Sequence, residues 1–141
     1  MLRSNTVTGE TNLASMLETL TVSVRADRYV VATLAPDIAV PSVSNGVAAV
    51  IREDEGTTVI ATVERAISED WPRDFVATWL TLDVHSALEA VGLTAAFSSS
   101  LGRAGIPCNV IAGFYHDHIL VPHDKGQAAV EVIEALAKPT T

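Results

Sequence analysis

His116, Asp117 and His118 stand consecutively, with His85 and His123 on either side of them. Imidazole and carboxylate groups together can hold zinc or a similar ion, so the run is a candidate metal site. Its spacing favours a hydrogen-bonded hairpin turn instead. Residues two apart share a strand face only while the chain stays extended through Asp117, and a turn at His116-Asp117 would splay the imidazoles. Cys108 and the run Ser98-Ser99-Ser100 are the candidate nucleophiles. Cys108 lies in an apolar run, where a thiol serves as packing, and no serine has the Gly-x-Ser-x-Gly elbow that would expose it. Neither a Gly-x-x-x-x-Gly-Lys phosphate loop nor a dinucleotide fingerprint occurs. The expectation is a non-enzyme without a cofactor.

Gly92 opens a helix at the end of a strand, where backbone amides and the positive end of the helix dipole suit an anion such as a ligand carboxylate. The alternative is that Gly92 only lets helix and sheet approach closely. Asn109 carries an amide that donates to a carboxylate and accepts from an ammonium, the dual chemistry an α-amino acid requires, or else pairs a sheet edge or turn. Ser86 and Glu89 form a Ser-x-x-Glu pattern that reads as a capping box. Trp71 and Trp79 read as core or junction residues.

The elements that must position these groups follow from periodicity. Leu13, Met16, Leu17 and Leu20 predict a short amphipathic helix over 12–20. Tyr29 to Leu34 is a β-branched and aromatic run that predicts a buried strand. Val47 to Arg52 and Thr57 to Thr62 flank Glu53-Asp54-Glu55-Gly56 and predict a hairpin, with a short helix from Val63 to Ser68. Trp71-Pro72-Arg73-Asp74 breaks every period and marks a junction. Beyond it come a strand over 75–84, a helix from Leu93 ended by Gly105, and strands at Cys108–Tyr115 and His118–Val121. A final helix capped by Asp124, with Gln127 completing a capping box, buries Ala129, Val132, Ile133 and Leu136. The two halves resemble degenerate copies of one unit. No strand follows the last helix, so the second unit must borrow one from the first half or pair with another chain. The fold class is α+β with antiparallel sheets and helices on one face.

Composition narrows the partners. The chain has 141 residues, 48% of them apolar, enough for a core without disulfides or metal. Nine basic against 17 acidic residues leave a net charge of −8, which opposes nucleic acid and anionic membrane surfaces. A single cysteine and a polar N-terminus without a secretion signal predict a cytoplasmic protein.

The segments Ala90-Val91-Gly92-Leu93-Thr94-Ala95-Ala96 and Leu101-Gly102-Arg103-Ala104-Gly105-Ile106-Pro107-Cys108-Asn109-Val110-Ile111 resemble the strand-to-helix turn, first helix and second strand of the ACT-domain family. The runs Val84–Ala95 and Phe114–Pro122 are similar to bacterial proteins built from two small ACT-like units. The resemblance implies two ferredoxin-like subdomains, a degenerate one over 12–70 and a second over 75–138. It implies a regulatory module that binds a free amino acid or analogue between its halves and acts in trans on a partner enzyme or regulator, as a possible homodimer. The carboxylate would fall to the amides of Val91, Gly92 and Leu93, polar selection to Asn109, and closure to His116, Asp117 and His118. Competing readings are a ligand-free oligomerisation module and a His/Asp metal-binding protein. One departure is visible: the loop from His85 to Val91 is longer than the usual ACT turn.

Overall fold

The computed structural model describes residues 9–84 and 92–137. Helix α1 spans Gly9–Glu18, starting three residues before the expected boundary. Its stripe is apolar for the expected reason: Met16 and Leu20 are buried, and Leu13 and Leu17 pack beside them. Strand β1 covers Thr21–Leu34, 14 residues, far longer than the run at Tyr29–Leu34. Its first half escapes the hydrophobic pattern because Thr21 to Arg28 is exposed at every position but Val22.

Strands β2 (Val47–Arg52) and β3 (Thr57–Thr62) form the expected hairpin. Val50 faces Val59 and Arg52 faces Thr57, and the Glu53 amide donates to the Gly56 carbonyl at 2.9 Å to close the turn. Helix α2, Val63–Glu69, follows at once, its N-terminus capped by the Thr62 hydroxyl, which accepts from the Arg65 amide at 3.1 Å. Strand β4 is Val76–Asp83 and helix α3 is Leu93–Arg103, after which Gly105 adopts a positive φ of 74°.

Strands β5 (Asn109–Ala112) and β6 (Asp117–Pro122) are antiparallel, with Asn109 facing Leu120 and Ile111 facing His118. Here the structure departs from the sequence reading. Strand β5 stops at Ala112 because Gly113 turns the chain, its amide donating to the His116 carbonyl at 2.9 Å. Phe114 and Tyr115 therefore occupy the turn, and Asp117 belongs to the strand. Asp124 is not the cap of the last helix either. It sits in a 3₁₀ turn, His123–Lys125, that Pro122 starts directly off the strand and that runs into helix α4, Gly126–Ala137.

The strands make one six-stranded antiparallel sheet in the order β2-β3-β1-β4-β6-β5. By compactness the chain forms two units that interleave along the sequence. One takes the chain up to Val24 and again from Leu80 onward, and the other is Arg25–Trp79. The strand missing after the last helix is thus β1, whose residues Thr21–Val24 belong to the same unit as β5 and β6. That unit's core joins Met16, Leu20, Leu80, Leu82, Phe97 and Ile133, among others. The Arg25–Trp79 unit has a smaller core of Val47, Val59 and Ala61, against which Leu34, Val50 and Trp71 pack.

Candidate functional site

Strand alternation decides which of the chemically active residues meet. Leu80 and Leu82 point into the helix-covered core, so Thr81 and Asp83 lie on the opposite face of β4. In β6, Ile119 and Val121 enter that core, which places His118 on the other face and Asp117 on the helix side. Two rungs result. The Thr81 hydroxyl lies 3.0 Å from His118 Nδ1, and His116 Nδ1 lies 3.5 Å from Asp83 Oδ1. The rings of His116 and His118 stand 6.4 Å apart, nearly perpendicular. Gly113 is needed beneath them: a Cβ there would come within 2.8 Å of the His116 carbonyl and 3.0 Å of His118 Nε2.

The Asp83–His116 rung borders a cavity of about 320 Å³ lined by Thr19, Asp83, Val84, Tyr115 and His116. Its chemistry is simple. Asp83 and His116 are each about 40% exposed, so both can exchange their mutual contact for one to a ligand. The Thr19 hydroxyl is committed to the Met16 carbonyl at 3.2 Å. Val84 and the Tyr115 ring supply apolar surface.

The expected residues are distributed unevenly about this cavity. His116 lines it, and His118 stands one rung away. Asp117 is on the opposite face, which separates the three consecutive residues. Among the described residues no group of three His, Cys, Asp or Glu side chains could hold a metal ion. Asn109 is exposed on the edge strand, facing Leu120 rather than the cavity. Gly92 has a φ of 103° at the start of α3, with no side chain capping the helix. A Cβ on Gly92 would meet a Leu13 methyl at 3.3 Å, so the glycine serves the close approach of α1 as well. Leu93 is 2% exposed and belongs to the core, leaving only its backbone for a ligand. Val91, with His85, Ser86 and Glu89, lies outside the described residues.

Asp83 and Tyr115 escape sequence reasoning. The alternation in Trp79–Val84 does put Asp83 on the polar face of a strand, but nothing in the sequence says that β4 neighbours β6. Of the candidate nucleophiles, Ser98, Ser100 and Cys108 are engaged elsewhere. Ser98 donates to the Thr94 carbonyl at 2.6 Å, and Ser100 accepts from Arg103 at 3.1 Å. Cys108 packs against the core, and burial pushes its thiol pKa up, away from a reactive thiolate.

Sequence comparison states the class to which this architecture belongs. One ACT-domain profile matches residues 8–78 and a second matches 75–135. The chain belongs to the ACT-domain family. It is 36% identical to a protein of unknown function from Vibrio cholerae, described as a possible transport protein, over 93% of this chain and 100% of that one, with a TM-score of 0.82. It is similar in fold to a protein from Agrobacterium tumefaciens, at 20% identity over 84% of this chain and 89% of that one, with a TM-score of 0.65. It is likewise similar in fold to the regulatory subunit of aspartate kinase from Thermus thermophilus, at 10% identity over 83% and 97% of the two chains, with a TM-score of 0.55. No curated protein sequence matches the chain. ACT domains are regulatory modules, and this membership supports a small-molecule-binding regulatory module. No helix among the described residues is long and apolar enough to cross a membrane.

Proposed function

We propose that the protein binds a free α-amino acid or a close analogue in the cavity beside His116 and signals its presence to a partner enzyme or regulator. The observation that carries this reading is the Asp83–His116 pair. A carboxylate that accepts and an imidazole N–H that donates, 3.5 Å apart, match the adjacent ammonium and carboxylate of a zwitterion. His118, held by Thr81, supports the His116 side of the site. The output proposed for such a regulatory module is in trans, through a partner or through assembly state. The lone cysteine supports a reducing, cytoplasmic setting.

The test is the melting temperature against a panel of the twenty amino acids. At about 100 times the dissociation constant, binding stabilises by about 2.7 kcal/mol, a rise of several degrees. The rise should occur with one chemical class and vanish in Asp83→Asn. A flat panel, with stability set only by protein concentration, would overturn the reading in favour of an oligomerisation module.

A further inference from the structure

The two backbone charges of an amino acid leave its side chain open, and the cavity wall bears on that choice. If Asp83 and His116 receive the ammonium and carboxylate, both titratable groups that recognise the backbone are used among the described lining. The Thr19 hydroxyl is bound to its own helix. Among the described residues, what is left of the lining to meet a ligand side chain is Val84 and Tyr115. An anionic side chain would lose water there beside the Asp83 carboxylate in a chain of net charge −8, and a cationic one would find among the described lining only the carboxylate that the ammonium already occupies.

The turn that carries Tyr115 points the same way. Two-residue hairpin turns favour Asn, Asp and Gly, whose backbones take positive φ. Here the two residues are Phe114 and Tyr115, and the only non-glycine residues of positive φ among those described are Asn45 and Asp70. The turn thus sets two large rings in water, 75% and 77% exposed, where turn chemistry asks for neither. The rings meet edge to face at 5.0 Å, so Phe114 buttresses Tyr115 at the cavity rim. Two large exposed rings in contact with each other at the rim of a cavity form an apolar surface that a ligand side chain can cover.

We infer that the site selects α-amino acids with apolar side chains, and that Tyr115, steadied by Phe114, is the specificity-determining residue that covers that side chain. This inference rests on the amino-acid reading proposed for the same cavity. Tyr115 touches the ligand and has no role in the fold's core, so its replacement leaves the protein intact.

Isothermal titration with phenylalanine, leucine, glycine, glutamate and lysine tests it on the full chain. Phenylalanine and leucine should bind at least roughly tenfold more tightly than glycine, the fold-change expected for covering an apolar side chain, with glutamate and lysine weaker still. Tyr115→Ala should erase most of the advantage of phenylalanine and leucine over glycine. Equal binding of all five, a preference for glutamate or lysine, or an undiminished preference in Tyr115→Ala would overturn the inference and leave the amino-acid reading standing. Absence of binding by all five and by the rest of the twenty would overturn both.

Discussion

The guanidinium carbon of Arg25 sits 3.9 Å above the centre of the Trp79 ring, and the same group donates to the Tyr29 hydroxyl at 3.3 Å. Tyr29 and Trp79 are themselves in ring contact at 5.1 Å, and both are buried although Arg25 is not. A cation over an indole face is worth about 0.5–1 kcal/mol at an exposed site. Arg25→Ala should lower unfolding free energy by about that amount, and Arg25→Met, which keeps the stem but not the charge, should recover only the packing part. Urea titration followed by tryptophan fluorescence reads both.

Two glycines should respond in opposite directions to alanine. Gly46 has a φ of 91°, and a Cβ there would lie 2.7 Å from the Thr62 hydroxyl and 2.9 Å from Arg65 Cβ, at the start of α2. Gly46→Ala should destabilise by more than about 1 kcal/mol. Gly102 lies in α3, and a Cβ there would have nothing within 4 Å of it, so Gly102→Ala should stabilise by about 0.5–1 kcal/mol. Thermal melts of the two variants check the contrast.

Thr57 is fully buried, and its hydroxyl has no hydrogen-bond partner among the described residues. Removing an unsatisfied buried polar group while keeping its shape relieves a desolvation cost of about 1–3 kcal/mol. Thr57→Val should therefore raise the melting temperature, and Thr57→Ser should not, since it keeps the hydroxyl and loses the methyl.

Burial raises the Cys108 thiol pKa. The folded state then holds its proton to a higher pH than the unfolded chain does. This contribution to stability is fully present below the unfolded thiol pKa of about 8.5 and is lost as pH climbs through the folded value. A thiol reagent at pH 8 should accordingly label the folded protein more slowly than the urea-unfolded chain.

The parts legible in the sequence are those with a strong period or a strong turn. The β2–β3 hairpin is readable to the residue, because Glu53-Asp54-Glu55-Gly56 can do little but turn and the flanking runs are apolar. Helix α3 is equally plain from Leu93, Phe97 and Leu101. The first half of β1 is not, since Thr21–Arg28 has no buried alternation to reveal it. The site is legible in one member: His116 stands out, but its partner Asp83 lies 33 positions earlier, and only the neighbouring of β4 and β6 brings the two together. The turn at Phe114-Tyr115 reads two residues too late, since aromatic residues so close to a β-branched run look like more strand.

The interleaving of the two units has a consequence for synthesis. Arg25–Trp79 leaves the ribosome as one uninterrupted stretch, whereas Met16 and Leu20 belong to a core whose last buried member, Ile133, is made more than a hundred residues later. At ordinary translation rates that is a wait on the order of ten seconds. Through that interval the core that takes in the apolar stripe of α1 stays incomplete, and a segment made early is among the last to find its place.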